Sequence, residues 1–228
     1  MKLTDTPTAS HFVNAGLLDA RQLALIEQEL SQAETALDGK CPWESARLRS
    51  AEAVEAYGAW LYVLARALRP AVVVETGVQN GCSTELILWA LHRNRHGQLY
   101  SVDSGPTSSD GSHKTAWNAT QDGIPGKNII AGLKERWNLT TGLSRDRLPD
   151  LCRKVANVDM FWHDSDHSSE NVAFEFATVA PYVTPGGALC MHDFTGQPVG
   201  MDAPGYCLAV PDLAPRLRVW RKSPGGPG

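Results

Sequence analysis

Two short clusters hold the residue types best suited to acid–base or metal chemistry. His163, Asp164, Ser165, Asp166 and His167 follow one apolar run, and His192 with Asp193 follows another. Crowded carboxylates repel one another and are usually kept where a cation or a proton compensates. The oxygens of Asp164 and Asp193 would suit Mg²⁺ or another divalent ion, with waters or substrate hydroxyls completing the shell. Such an ion could hold a substrate oxygen and lower its pKa. Asp166 or His167 could then accept the proton, given hydrogen-bond reach. His163 directly follows Trp162 and reads as a core histidine outside the site.

A third informative stretch is Glu75-Thr76-Gly77-Val78-Gln79-Asn80-Gly81. Glycines in a strand-to-helix turn let backbone approach a ligand where a side chain would collide. The hydroxyls of Ser83 and Thr84 could cap the helix that follows, whose amides face the same place. Asp103 ends the next strand, one β–α–β step on, where a carboxylate can accept hydrogen bonds from both hydroxyls of a ribose. Gln79 stands where a dinucleotide fingerprint has its middle glycine, and no Lys-Ser/Thr pair follows Gly81. Together these favour a nucleoside over a pyrophosphate or a triphosphate.

Positioning these residues requires alternating strands and helices. Apolar periodicity predicts leading helices over residues 19–36 and 44–68, the second stopped by Pro70. Strands are predicted over 71–74, 98–103, 158–162 and 188–191, with helices from Ser83 through Leu91 and over 171–180, and a turn at Pro185-Gly186-Gly187. The fold class is therefore α/β, with β–α–β units and a mostly parallel sheet. Residues 104–138, with Trp117 and Trp137, read as a loop-rich cap over the site or as a disordered insertion. The tail from Ser223 has linker composition.

Composition excludes some partners. The 228 residues are 43% hydrophobic, enough for one sizeable core, and the net charge of −4 offers nothing to a nucleic acid. The sequence has neither a bilayer-length apolar run nor a secretory leader, so a cytoplasmic protein without membrane contact is expected. Five scattered cysteines fit reduced thiols, which makes the Asn-X-Thr matches at Asn118 and Asn138 accidental.

The segments VVVETGVQNGCST, QLYSVD, VDMFWHDSDHSSENV and PGGALCMHDF, in this order, resemble the successive motifs of class I S-adenosylmethionine-dependent methyltransferases. The resemblance covers about residues 71–194 and is nearest to small-molecule O-methyltransferases of the macrocin-type and cephalosporin-hydroxylase-like branches. It implies a Rossmann-like, doubly wound, seven-stranded sheet with an antiparallel seventh strand. Residues 1–70 would form a helical segment packed on a 71–228 core, and residues 207–220 would supply the last hairpin, with a loop marked by Pro211 and Pro215. The family's glycine turn matches Glu75, Gly77 and Gly81, and its ribose-binding acid matches Asp103. Its D-x-D matches Asp164 and Asp166, and its later acidic pair matches Asp193, with His192 in place of a carboxylate.

The resemblance thus implies S-adenosylmethionine, together with Mg²⁺ or another divalent ion held by Asp164, His192 and Asp193. Glu75, Thr76, Gly77, Gly81, Ser83, Asp103, Ser104 and Asp164 would face the cofactor, and Asp166, His167 or His192 would take the proton. His192 also leaves room for a weakly bound metal or a metal-free enzyme. The expected reaction is O-methylation of a small-molecule hydroxyl, on a sugar or natural product. The rivals are metal-independent N-methylation of an amine and a binding protein that keeps the fold without transfer. A homo-oligomer is compatible with either.

Overall fold

Runs rich in β-branched and aromatic residues form strands because such side chains pack well on a pleated surface. The computed structural model describes residues 7–31, 58–105, 124–127, 129–192, 205–213 and 217–225. Its strands are β1 (Val72–Thr76), β2 (Gln98–Asp103), β3 (Trp137–Thr141), β4 (Val158–His163), β5 (Val183–His192), β6 (Tyr206–Leu213) and β7 (Leu217–Lys222). Its helices are α1 (Pro7–Asn14), α2 (Ala20–Ser31), α3 (Ala59–Leu68), α4 (Cys82–Asn94), α5 (Ser144–Val155) and α6 (Ser169–Val179). Asp193, Trp117, and the stretches 32–57 and 106–123 lie outside the described residues.

The strands form one seven-stranded sheet in the order β3-β2-β1-β4-β5-β7-β6. β1 to β5 pair in parallel, and β7 runs antiparallel between β5 and β6. The strand order reverses between β1 and β4, and in such sheets ligands bind beyond the carboxyl ends of the strands at that point.

Strand alternation sorts the core into two layers. Leu99, Met160, Trp162 and Cys190 face Leu61 of α3 and Trp89 of α4. Val74, Val102, Phe161 and Leu189 face Leu148 of α5 and Phe176 of α6. Phe161 is fully buried, 5.7 Å edge-on from Phe176, and truncating such a ring to alanine costs about 3–5 kcal/mol. Leading-helix residues Phe12, Leu23 and Leu61 belong to the first layer.

Several elements differ from expectation. α1 was not anticipated, whereas α2 falls within the helix expected over 19–36 and opens on a reciprocal box in which Gln22 N donates to Asp19 Oδ1 at 2.7 Å and Asp19 N donates to Gln22 Oε1 at 2.8 Å. β3 and α5 were not anticipated. Pro185-Gly186-Gly187 does not end a turn before the last parallel strand but lies within β5. Val158 pairs with Val183 and Met160 with Ala188, so the glycines bulge out of the ladder, with Gly186 at φ +81°. Pro211 lies in β6 rather than in a loop, which an edge strand tolerates because one face of its backbone needs no amide. No helix among the described residues is long and apolar enough to cross a membrane.

Candidate active site

The turn after β1 is bonded to both neighbouring strands. Gly77 N donates to Val102 O of β2 at 2.9 Å, and Asp164 N, just past β4, donates to Thr76 O at 2.9 Å. Gly77 has φ +83°, and a Cβ there would meet the Asp164 carbonyl oxygen at 2.1 Å. The glycine is therefore required by the close approach of the chain's own backbone, independently of any ligand. Gly81, at φ +80°, closes the turn through Gly81 N to Val78 O at 2.7 Å and starts α4. Gly126 N reaches the same turn, donating to Gln79 O at 3.0 Å.

Beneath the turn lies Glu75, fully buried. Ser83 Oγ donates to its Oε1 at 2.9 Å, while Thr84 Oγ1 (2.9 Å) and Ser101 Oγ (2.7 Å) donate to Oε2. Trp137 Nε1 in turn donates to Ser101 Oγ at 2.9 Å. Burial pushes the Glu75 carboxyl up to about 8, against the lowering effect of the three hydroxyls. Ser83 and Thr84 thus do not cap α4 as expected. Gly81 is the N-cap, without a side-chain hydrogen bond, because the buried glutamate takes the hydroxyls.

Asp103 closes the turn from the β2 side. Its Oδ2 accepts from Val78 N at 2.8 Å and Gln79 N at 3.0 Å, and its Oδ1 accepts from Gly105 N at 2.7 Å. Among the described residues these bonds fill three of the about four acceptor positions of a carboxylate. Ser104 follows it as an exposed residue.

On the other flank, Asp164 Oδ1 lies 2.6 Å from His192 Nε2 and 4.0 Å from His167 Nε2. The donor atoms of Asp164, His167 and His192 all lie within 4.8 Å of one another. The His192 ring stacks on Trp162, with centroids 5.6 Å apart and planes at 22°. Asp166 is exposed, and its two oxygens accept from Ser168 N at 2.9 Å and Ser168 Oγ at 3.1 Å, shaping the entry to α6.

His163 points from β4 toward α6, fully buried, with Nδ1 2.7 Å from Glu175 Oε2. Glu175 also accepts from Thr76 Oγ1 at 2.5 Å, Ser165 Oγ at 2.7 Å and Asn171 Nδ2 at 3.0 Å. Burial would raise its carboxyl, but the hydrogen bond and charge of His163, with the hydroxyl donors, hold it below the usual carboxylate range. Glu175 was not singled out from the sequence, yet a signal existed. It shares the 3.6-residue stripe of Val172, Phe176 and Val179, where a charge needs a partner.

The sheet order defines a doubly wound α/β fold, and the acid–imidazole cluster lies beside a glycine turn at its switch point, where ligands of such folds bind. Residues 74–194, more than half of the chain, match the methyltransferase domain family, and the chain belongs to that family of transferases. No protein of curated function matches it in sequence. Among solved structures it resembles an O-methyltransferase from Bacillus cereus in complex with SAH, at 14% identity and TM-score 0.58, over 92% of this chain and 100% of that one. A methyltransferase from Geobacter sulfurreducens matches at 16% identity and TM-score 0.57, over 90% and 99%. A calicheamicin methyltransferase matches at 17% and 0.55, over 95% and 93%. At these identities the likeness is one of fold.

Proposed function

We propose that this methyltransferase uses S-adenosylmethionine to methylate a hydroxyl of a small molecule, a sugar or natural product. The observation that supports this reading is the double attachment of the Gly77 turn, to Val102 on one side and to Asp164 on the other. It sets the Asp103 carboxylate, which accepts three bonds among the described residues, and an acid–imidazole cluster on opposite flanks of one turn. That is the separation a transfer reaction needs between nucleoside and acceptor.

In this reading Asp103 accepts from one ribose hydroxyl, and the backbone from Thr76 to Gly81, with Ser104, lines the cofactor. Glu75 and Ser83 act from beneath by holding the turn. When bound, the cofactor supplies an electrophilic methyl group. The acceptor hydroxyl rests against Asp164, His192 and His167, and an imidazole takes its proton. Position favours His192, oriented by Asp164, and His167 over Asp166, which is exposed outside the Asp164–His167–His192 cluster and is held by Ser168 at the entry to α6. The helices within residues 1–70 belong to the same domain and shape acceptor choice.

The expected Mg²⁺ fits the described donors poorly. It demands near-octahedral oxygen ligation, whereas two of the three clustered donors are imidazole nitrogens. No step is assigned to it.

The test is calorimetric titration of S-adenosylmethionine into wild type and Asp103→Ala, then transfer of labelled methyl to matched hydroxyl and amine acceptors. Binding lost in the variant, with label on oxygen, is the expected result. Equal binding by both proteins, or label on nitrogen alone, would overturn the reading.

A further inference from the structure

We infer that Asp164, His167 and His192 form a site for a borderline divalent transition metal of the Zn²⁺, Fe²⁺ or Co²⁺ class rather than for Mg²⁺. The inference deepens the proposed function, on which it rests only for what the ion would do there.

The geometry already approaches a ligand set. The three donor atoms lie within 4.8 Å of one another, with Asp164 Oδ1 2.6 Å from one imidazole nitrogen and 4.0 Å from the other. Metal–ligand bonds of about 2.0–2.2 Å set neighbouring ligand atoms roughly 3–3.5 Å apart. The short contact must open and the 4.0 Å one close, each by less than about 1 Å, and the widest separation, 4.8 Å, must close by roughly 1.3–1.8 Å through movement of the His167 side chain.

Two of the donors are fixed. The Asp164 backbone is bonded to Thr76, and the His192 side chain, 9% exposed, is stacked on Trp162. His167 is 32% exposed, on the loop that leads into α6, and can swing inward. The His163 imidazole next to it is committed to Glu175 through Nδ1 and belongs to the supporting layer.

Ligand chemistry decides the ion. Two imidazoles with one carboxylate form a set that leaves open positions and suits Fe²⁺, Co²⁺ or Zn²⁺, whereas Mg²⁺ gives up water reluctantly and only for oxygen donors. A bound ion would supply Lewis acidity to the acceptor oxygen. With metal in place the imidazoles are occupied as ligands, so the loaded and metal-free proteins would handle the acceptor proton differently.

The test does not use turnover. Full-length protein stripped with chelator is titrated calorimetrically with Zn²⁺, Co²⁺ and Mg²⁺, and the visible spectrum of the Co²⁺ form reports nitrogen ligation. The expected result is one Co²⁺ or Zn²⁺ per chain, at least ~100-fold tighter than Mg²⁺. His167→Ala should weaken it by at least ~10–100-fold, the scale on which even supporting residues act. His167→Asn is the second variant should the alanine protein unfold. His96→Ala, at the opposite edge of the sheet, controls for surface histidines and should change nothing.

Binding that survives both His167 substitutions is adventitious and overturns the inference, as does Mg²⁺ binding as tight as Co²⁺ or no metal binding at all. The cofactor titration reads the proposed function separately, so the two can fail independently.

Discussion

Asp164 and His192 are 28 residues apart in the chain, and their side chains meet at 2.6 Å. Parallel pairing of β4 with β5 aligns His163 with Met191, so the next residue on each, Asp164 and His192, emerges at the same sheet edge. Asp164 then occupies the point where the turn after β1 also arrives, through its amide to Thr76. A carboxylate with that anchorage orients the imidazole it touches.

Replacing Asp164 with asparagine keeps the backbone bond to Thr76 and removes the charge beside His192. Methyl transfer should fall by about 10²–10⁴-fold, the usual weight of a positioned acid–base group, while the Kd for S-adenosylmethionine changes only a few-fold. Single-turnover rates and binding titrations, run side by side, check this. An unchanged rate would remove Asp164 from the reaction.

Asp103→Ala should act twice. It frees the Val78, Gln79 and Gly105 amides and removes the proposed ribose acceptor. Each charge-assisted bond is worth about 1.5–3 kcal/mol, so both a lowered Tm and a Kd raised more than tenfold are expected. A normal Tm with weakened binding would assign Asp103 to the ligand alone.

Gly77→Ala should lower stability even without ligand. Its Cβ would collide with the Asp164 carbonyl at 2.1 Å, and φ +83° is strained for any side chain. A loss of at least about 1–3 kcal/mol is expected from backbone strain alone, measured as a lower urea midpoint at unchanged m-value. Wild-type stability in this variant would mean that the turn is free to move.

The two buried glutamates have their carboxyl pKa values displaced in opposite directions, Glu75 up and Glu175 down. The folded Glu75 carboxyl lies near 8, above its unfolded value, so its contribution is fully present below about pH 4.5 and is lost as pH rises toward 8. Glu175 lies below its unfolded value, so its contribution is present above about pH 4.5 and is lost as pH falls through the lowered folded value. Glu75→Gln should therefore flatten the alkaline decline of the stability–pH profile, and Glu175→Gln the acid one. Urea midpoints across pH check both. Identical profiles for wild type and Glu75→Gln would return that carboxyl to ordinary ionisation.

Three of the parallel strands were legible because β1, β2 and β4 are apolar runs that each end in a polar residue at the same sheet edge. β3 was hidden because it lies at the sheet edge and mixes Trp137 and Leu139 with Asn138, Thr140 and Thr141. α5 was hidden by Pro149 inside it and by a surface so charged that its apolar stripe is only Leu148, Leu151 and Cys152. Ser83 and Thr84 read as helix caps because local sequence shows only the nearest backbone. The carboxylate that takes their hydroxyls lies on β1.

By itself the sequence determined the alternation of strands and helices, the turn at Gly77 and the residue types gathered near it, because periodicity and φ requirements are local properties. Only the tertiary structure decided that the Gly77 space is filled by Asp164, that burial raises the Glu75 carboxyl while His163 lowers that of Glu175, and that His167 and His192 share one carboxylate. Those outcomes depend on distance and desolvation between chain segments. Both are set by how the strands pair across the sheet, which residue order along the chain does not specify.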